Sequence, residues 1–256
     1  MKDNRLQGLL LADGSEVPVA CARALEAERV HIAALVVGPR VRLESAQAIA
    51  DQFSVRPPII TTSRPDQDPY IEALIASRRI DYLFSCFYEH RIQPSLIDGA
   101  RFGGTNIHPS VLPYNRGFHA SFWGIINRTP LGATIHWLAE GLDEGDIIAQ
   151  ETFFDDGTLS AAEIRRRQRD LCISLFNKNL PLILAGKAPR KPQEKGGEYH
   201  FKKDIVAATT FRGHDSVSFE ELLRLLRATD CGENGLTVVV DGRKFKITGR
   251  VSEVQT

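Results

Sequence analysis

The sequence lacks three features from which a binding partner or a cellular location is most readily inferred: an excess of charge of one sign, a long apolar run and a signal peptide. Its 256 residues carry 32 basic and 32 acidic side chains, so no overall positive charge favours binding to nucleic acid or to an anionic membrane. No apolar run approaches the roughly 20 residues that span a bilayer. Residues 1–5 lack the apolar core and cleavage site of a signal peptide. We therefore expect a cytoplasmic protein with no nucleic-acid or membrane partner.

Two common kinds of binding site are also missing from the sequence. The cysteines are Cys21, Cys86, Cys172 and Cys231, and no two of them form a CxxC pair. They are therefore predicted to be buried thiols, and no zinc or redox centre and no other metal site is expected. Neither GxGxxG nor GxxxxGK followed by Ser or Thr occurs, so the usual phosphate-cradling loops are not expected either.

What the sequence does contain is a regular alternation of strands and helices. Short apolar runs predict strands, and segments with a period near 3.6 predict helices. The predicted strands are 6–12, 31–37, 58–61, 82–86, 104–108, 132–138 and 147–154, and the predicted helices are 17–28, 43–53, 69–77, 118–127 and 160–186. This order indicates an α/β protein with a Rossmann-like, mostly parallel sheet flanked by helices. In such sheets ligands bind outside the carboxyl ends of the strands.

The C-terminal part of the chain is predicted to form a small appendage. Residues 188–197 are rich in Pro, Lys and Gly, which is typical of a linker or a boundary. We therefore predict a catalytic domain of residues 1–187 and a small α+β extension of residues 198–256. The extension contains a helix at 218–228 and a hairpin at 236–247 around Asp241 and Gly242. It is too small for a large core of its own, so we expect it to pack on the main domain or on a second subunit in a homodimer.

The most informative segment is residues 106–117, Asn-Ile-His-Pro-Ser-Val-Leu-Pro-Tyr-Asn-Arg-Gly. In an extended strand, residues i and i+2 point to the same face, so Asn106 and His108 converge at the end of a strand. Pro109 and Pro113 end the strand and stiffen the loop that follows. A carboxamide donor and an acid/base are thus predicted to stand together at the edge of a sheet.

A carboxylate, Asp143, follows in the turn Gly141–Asp146 between two further strands. His108 can exchange a proton near neutral pH, Asp143 can orient its ring, and Asn106 can donate to a developing oxyanion. Each residue also has a structural interpretation, as a turn cap, a structural histidine or an ordinary turn residue. Because no nucleophile elbow accompanies them, the trio favours direct transfer of a small acyl group to an amine over a covalent acyl-enzyme.

These segments, with Thr134-Ile135-His136-Trp137 and residues 141–150, closely resemble the N10-formyltetrahydrofolate-dependent formyltransferases. The resemblance covers about residues 80–185. It implies N10-formyltetrahydrofolate as the formyl donor and Asn106, His108 and Asp143 as the catalytic trio. By this resemblance, His108 would move the proton, Asn106 would polarise the formyl carbonyl, and Asp143 would adjust the proton affinity of His108. The resemblance further implies two walls of a pterin pocket, one of His90, Arg91 and Ile92 and one of Ala139, Glu140, Gly141 and Leu142. Alternatively, the side chains of His90 and Arg91 belong to a solvated loop and have no binding role.

Within the family, the loop Tyr114-Asn115-Arg116-Gly117 and the tail most resemble the sugar-nucleotide N-formyltransferases, which serve bacterial surface polysaccharides such as the O-antigen of lipopolysaccharide. The acceptor implied is the amino group of a nucleotide-linked amino-deoxysugar. Tyr114, Arg116 and Lys202 are then candidate substrate-binding residues, although the two cations could equally belong to a solvated charge run. The alternatives are another small amine, such as a hydroxylated amino acid or glycinamide ribonucleotide, methionyl-tRNA, or hydrolysis of formyltetrahydrofolate.

Overall fold

A computed structural model describes residues 5–77, 79–230, 235–249 and 251. The strands of these residues are β1 (Gln7–Ala12), β2 (His31–Val37), β3 (Ile59–Thr61), β4 (Tyr82–Cys86), β5 (Gly104–His108), β6 (Arg116–Gly117), β7 (Leu131–Trp137), β8 (Ile147–Phe153), β9 (Tyr199–His200), β10 (Thr210–Arg212), β11 (Leu236–Val240) and β12 (Arg243–Ile247). The α-helices are α1 (Glu16–Ala27), α2 (Leu43–Ala50), α3 (Pro69–Ala76), α4 (Pro94–Gly99), α5 (Ala120–Ile126), α6 (Ala161–Leu184), α7 (Asp204–Ala208) and α8 (Phe219–Thr229). A single 3₁₀ turn among them spans Pro65–Gln67.

Seven strands form the central sheet in the order β3-β2-β1-β4-β5-β7-β8. The pairs β2–β3, β1–β2, β1–β4 and β4–β5 are parallel, and β5–β7 is antiparallel. This topology confirms the predicted α/β fold class with a mostly parallel sheet. The carboxyl ends of β4 and β5 lie beside each other, where an open α/β sheet binds its ligands.

The inner strands β1, β2 and β4 are almost entirely buried because both faces of the sheet are covered. All five residues of β4 are buried, and so are the last five of β1. Around them packs a core cluster that includes Leu9, Leu11, Val36, Ile71, Ile80, Leu83 and Leu96. Cys21, Cys86 and Cys172 are buried free thiols, as predicted, and burial raises the pKa of Cys21 and of Cys172. Cys231 lies outside the described residues.

Local sequence signals account for several of the element boundaries. Helix α6 begins at a capping box, in which Glu163 N donates to Ser160 Oγ and Ser160 N donates to Glu163 Oε2. The predicted hairpin is present as the antiparallel pair β11–β12, and Asp241 and Gly242 take the positive φ angles that a two-residue turn requires. Helix α4 was not predicted, because six residues are too few to show a helical period.

The chain forms two compact units. Unit 1 contains Met1–His108, Thr134–Gln150 and Cys172–Gln193, and unit 2 contains Pro109–Ala133, Glu151–Leu171 and Glu194–Thr256. The apolar cluster of unit 2 includes Phe122, Ile125, Leu131, Ala161, Ile164 and Ala228. The boundary at residue 193 falls inside the stretch that the sequence indicated as a linker, while the predicted division into domains 1–187 and 198–256 stays a prediction. None of the helices in the described part of the chain combines the length and the apolar character needed to cross a bilayer.

Candidate active site

A row of polar side chains crosses three neighbouring strands of unit 1. Ser85 of β4 is paired with Asn106 of β5, and Asn106 is paired with His136 of β7. Directly paired residues present their side chains on the same face of a sheet. His108 stands two residues beyond Asn106 and therefore shares that face. The predicted convergence of Asn106 and His108 is present, and His136 joins them.

The carboxylate of Asp143 reaches this row from the turn after β7. Its backbone has a positive φ of 55°, in the left-handed region, which Asp tolerates better than most residues. Gly145 in the same turn passes so close to β7 that a Cβ atom would collide with the carbonyl oxygen of Trp137. Asp143 is only 9% exposed, so its charge is balanced by the groups around it rather than by bulk water.

Asp143 lies between the two histidines. Its Oδ2 is 3.5 Å from Nδ1 of His108, and its Oδ1 is 3.6 Å from Nε2 of His136. Oδ1 also accepts a hydrogen bond of 3.2 Å from Nδ2 of Asn106. All three side chains of the predicted catalytic trio therefore stand within one contact network, and His136 is its fourth member.

Hydrogen-bond logic fixes the roles of the groups in this network. Nδ1 of His136 lies 2.8 Å from the carbonyl oxygen of Trp137, which can only accept, so Nδ1 carries the hydrogen. Nε2 of the neutral ring is then an acceptor, and it lies 3.1 Å from Nδ2 of Asn106. Both amide hydrogens of Asn106 are thus directed within the network, one toward Asp143 and one toward His136.

Gln193 supports the same turn from a distant part of the sequence. Its Nε2 donates to the carbonyl oxygens of Asp143 and Gly145, each at 2.8 Å. The backbone before it is fixed by reciprocal hydrogen bonds between Lys191 and Ile147. No local pattern points to this role, because Gln193 stands in a Pro-, Lys- and Gly-rich stretch 50 residues from Asp143.

The two predicted walls of the pterin pocket face one cavity of about 50 Å³ in unit 1. Its lining comprises the seven predicted residues, His90, Arg91, Ile92, Ala139, Glu140, Gly141 and Leu142, together with Ser85, Tyr88, Asn106, His136, Leu138 and Asp143. Nη2 of Arg91 donates to the carbonyl oxygen of Glu140 at 3.1 Å, so one hydrogen bond joins the two walls. Tyr88 donates to the carbonyl oxygen of Thr62, and burial raises the pKa of its hydroxyl.

The predicted substrate residues lie in unit 2. Tyr114 is 42% exposed. Arg116 is buried rather than solvated; its Nη1 donates to the carbonyl oxygen of Gly196 at 3.2 Å, and its guanidinium lies over the Tyr199 ring at 5.2 Å. Nζ of Lys202 lies 4.8 Å from the centre of the Phe118 ring.

A basic cluster of unit 2 includes Lys202. Burial, and then the positive charges of Arg165 and Lys202, lower the pKa of His119. His119 is held in the left-handed region at the start of α5. Arg165 and Lys202 thus both act electrostatically on His119, and two such cations suit an anionic ligand. Among the described residues no group of three His, Cys, Asp or Glu side chains is placed to hold a metal ion.

Comparison with known proteins identifies the family. The family model described as "Formyl transferase" matches residues 18–178. The dTDP-4-amino-4,6-dideoxyglucose formyltransferases of Mycobacterium bovis and Mycobacterium tuberculosis are each 31% identical over 168 residues, which is 65% of this chain and 71% of theirs.

Solved structures share the fold over nearly the whole chain. A 4-N formyltransferase from Francisella tularensis has a TM-score of 0.81 at 22% identity and covers 96% of this chain and 98% of its own. A sugar N-formyltransferase from a Shewanella species has a TM-score of 0.82 at 19% identity, covering 98% and 99%. An N-formyltransferase from Helicobacter canadensis, solved with folinic acid and dTDP-3-aminofucose, has a TM-score of 0.68 at 17% identity, covering 93% and 86%. The chain therefore belongs to the formyl transferase family and is an N-formyltransferase.

Proposed function

We propose that this enzyme transfers the formyl group of N10-formyltetrahydrofolate directly to the amino group of a nucleotide-linked amino-deoxysugar. The observation that carries the proposal is that Asn106 and Asp143 line the cavity formed by the two predicted pterin walls, and that His108 contacts Asp143. The mycobacterial relatives, whose names specify a dTDP-linked amino sugar, support this class of acceptor.

The chemical groups that line the cavity suit a flat heteroaromatic ring. Ile92, Leu138 and Leu142 supply apolar surface, and the wall backbones supply hydrogen-bonding groups. The hydrogen bond from Arg91 to the carbonyl oxygen of Glu140 joins the two walls beside this cavity.

His108 is the proposed acid/base. When bound, the donor supplies a formyl carbon that an amine can attack. His108 takes up the proton that the amine loses as its nitrogen bonds to that carbon, and a proton is returned to the folate nitrogen as its bond to the carbon breaks. Asp143 Oδ2, 3.5 Å from Nδ1, orients the ring and stabilises its charged form. The burial of both side chains strengthens this interaction.

Asn106 is the proposed donor to the developing oxyanion. Because its two amide hydrogens are directed toward Asp143 and His136, one of these contacts has to be exchanged for the formyl oxygen. Such exchange is inexpensive when the new partner carries negative charge, since hydrogen bonds to charged groups are the stronger ones.

The basic groups of unit 2 support a diphosphate-bearing acceptor. Arg165 and Lys202 both act electrostatically on His119, and the guanidinium of Arg116 is held in place by Gly196 and Tyr199. A diphosphate needs several cationic donors, which a free amino acid acceptor would not require. We propose Tyr114, Arg116 and Lys202 as acceptor-binding residues.

The test is a panel of acceptors incubated with formyltetrahydrofolate. The panel contains dTDP- and UDP-linked amino-deoxysugars, glycinamide ribonucleotide, a hydroxylated amino acid and methionyl-tRNA. We expect tetrahydrofolate and a formamido sugar to form in equal amounts, and only when the acceptor is a nucleotide-linked amino-deoxysugar. Release of tetrahydrofolate without any amine would replace this proposal by the hydrolase, and turnover only with another amine would replace the acceptor class. His108→Gln is the matched control for background hydrolysis.

A further inference from the structure

We propose that His136 is a positioning residue for formyl transfer: as the tautomer with hydrogen on Nδ1, it holds the carboxamide of Asn106 with its NH₂ group toward Asp143. The inference rests on the proposed catalytic site, because it assigns His136 a part in placing that trio. His136 lines the same cavity, and its proposed part is to act through Asn106.

The tautomer of His136 follows from its backbone neighbour. The carbonyl oxygen of Trp137 accepts only, and its distance of 2.8 Å from Nδ1 is that of a good hydrogen bond. Nδ1 therefore carries the hydrogen, and in the neutral ring Nε2 has its lone pair free to accept. The ring is 1% exposed, so water does not compete for either nitrogen.

Two acceptors then hold the amide of Asn106 in one orientation. Asp143 Oδ1 lies 3.2 Å from Nδ2, and His136 Nε2 lies 3.1 Å from the same nitrogen. An amide rotated by half a turn would place its oxygen against a carboxylate and against a lone pair. Either contact would be repulsive, and the two together exclude that orientation.

The pairing of the strands makes this contact specific. Asn106 and His136 are direct partners in the β5–β7 register, so their Cα atoms are placed by the sheet and not by flexible loops. The effect reaches His108 because Asp143 contacts Asn106 with Oδ1 and His108 with Oδ2. A loose amide at Asn106 would therefore also loosen the carboxylate that orients His108.

A pair of variants tests the geometry. In His136→Gln the side-chain oxygen can reach the position of Nε2, whereas the shorter side chain of His136→Asn reaches only that of Nδ1. We expect kcat to fall by about tenfold or more in His136→Asn and by less than about threefold in His136→Gln, with the KM for the donor nearly unchanged. Wild-type kcat in His136→Asn would overturn the proposal.

A double-mutant cycle tests whether His136 acts through Asn106. In the Asn106→Ala background, His136→Asn is expected to have little further effect on kcat, because the amide that it positions is already absent. Full additivity of the two losses would overturn the proposal. The inflections of the kcat–pH profile are expected to persist in His136→Gln; loss of an inflection would make His136 the acid/base instead.

The tautomer can be measured without any substrate. In the ¹⁵N-histidine-labelled free enzyme, a long-range ¹H–¹⁵N spectrum should show His136 with a protonated Nδ1 and an unprotonated Nε2. The signals are assigned with whichever of the two variants folds. Hydrogen on Nε2 would overturn the proposal. Because this readout needs no acceptor, an acceptor panel without product would refute the proposed function and leave the tautomer result standing.

Discussion

Gln193 donates hydrogen bonds to the carbonyl oxygens of Asp143 and Gly145, so one side chain holds both ends of the short segment that presents the carboxylate. The segment is held on its other side by β7, where Gly145 passes against the carbonyl of Trp137. Asp143 is thus placed by backbone contacts, while its two oxygens remain directed toward Asn106 and the histidines.

Replacing Gln193 is expected to lower both stability and activity. Gln193→Leu leaves two carbonyl oxygens without their donor, which costs about 1–3 kcal/mol of unfolding free energy. The turn is then free to shift, and we expect kcat to fall by roughly tenfold, since small displacements of catalytic groups are costly. Steady-state kinetics and urea denaturation measure the two effects. Gln52→Leu is the control: it removes a donor to the carbonyl of Ala48 in unit 1 and should leave kcat unchanged.

Gly145→Ala tests the other side of the turn. The added methyl group would collide with the carbonyl oxygen of Trp137, and backbone atoms cannot yield as a flexible side chain can. We expect a loss of about 1–3 kcal/mol in unfolding free energy and a fall in kcat. Gly249→Ala, where a methyl group meets open space, should be close to neutral in the same thermal and kinetic assays.

Asp143→Asn separates charge from shape at the proposed catalytic carboxylate. The substitution keeps the size of the side chain but removes the negative charge between His108 and His136. We expect kcat to fall by about 10² or more, while the affinity for a folate analogue changes little. Glu144→Gln, which neutralises the exposed carboxylate next in sequence, is the matched control. Equal losses in the two variants would show that general charge, and not the place of Asp143, matters.

Whether a feature could be predicted from the sequence depended on how far apart along the chain the interacting residues lie. The convergence of Asn106 and His108 needs only the two-residue period of a strand, and the capping box of Ser160 and Glu163 needs only one helical turn. These features follow from neighbours along the chain. The part proposed for His136 depends on the antiparallel register between β5 and β7, which no local pattern specifies.

Gln193 was beyond sequence reasoning for a further reason. Its segment carries the composition of a linker, yet reciprocal hydrogen bonds fix Lys191 to Ile147, and Trp137 Nε1 donates to the carbonyl of Pro189. Composition reports how easily a segment folds on itself and not what it can bind to. The hydrogen bond between Arg91 and Glu140 likewise joins two loops that the sequence separates by 49 residues.

The stability of the protein is expected to fall below about pH 6.5 through His119. Burial, aided by Arg165 and Lys202, lowers the pKa of this ring in the folded state, whereas in the unfolded chain it titrates near pH 6.5. As pH falls through that window the unfolded state takes up a proton that the folded state resists, so unfolding becomes more favourable. Urea denaturation between about pH 7.5 and 5.5 measures the slope. His119→Gln should reduce the slope, and His214→Gln, at an exposed position, should leave it as in the wild type.

The ion pair between Arg227 and Asp155 is expected to contribute strongly to the stability of unit 2. Nη1 of Arg227 lies 2.7 Å from Asp155 Oδ2 and also donates to the carbonyl oxygen of Leu159, and the two side chains are only 12% and 9% exposed. Arg227→Met leaves a buried carboxylate without its cation, which costs about 3–5 kcal/mol of unfolding free energy. Arg224→Met on the same helix removes an ion pair with Glu220, a residue whose side chain is 73% exposed, and should cost less than about 1 kcal/mol. Denaturant unfolding of the two variants compares these losses directly. Similar losses of unfolding free energy in the two variants would mean that water reaches Asp155. The hydrogen bonds that Asp155 accepts from the backbone amides of Gly157 and Leu159 would then not depend on Arg227.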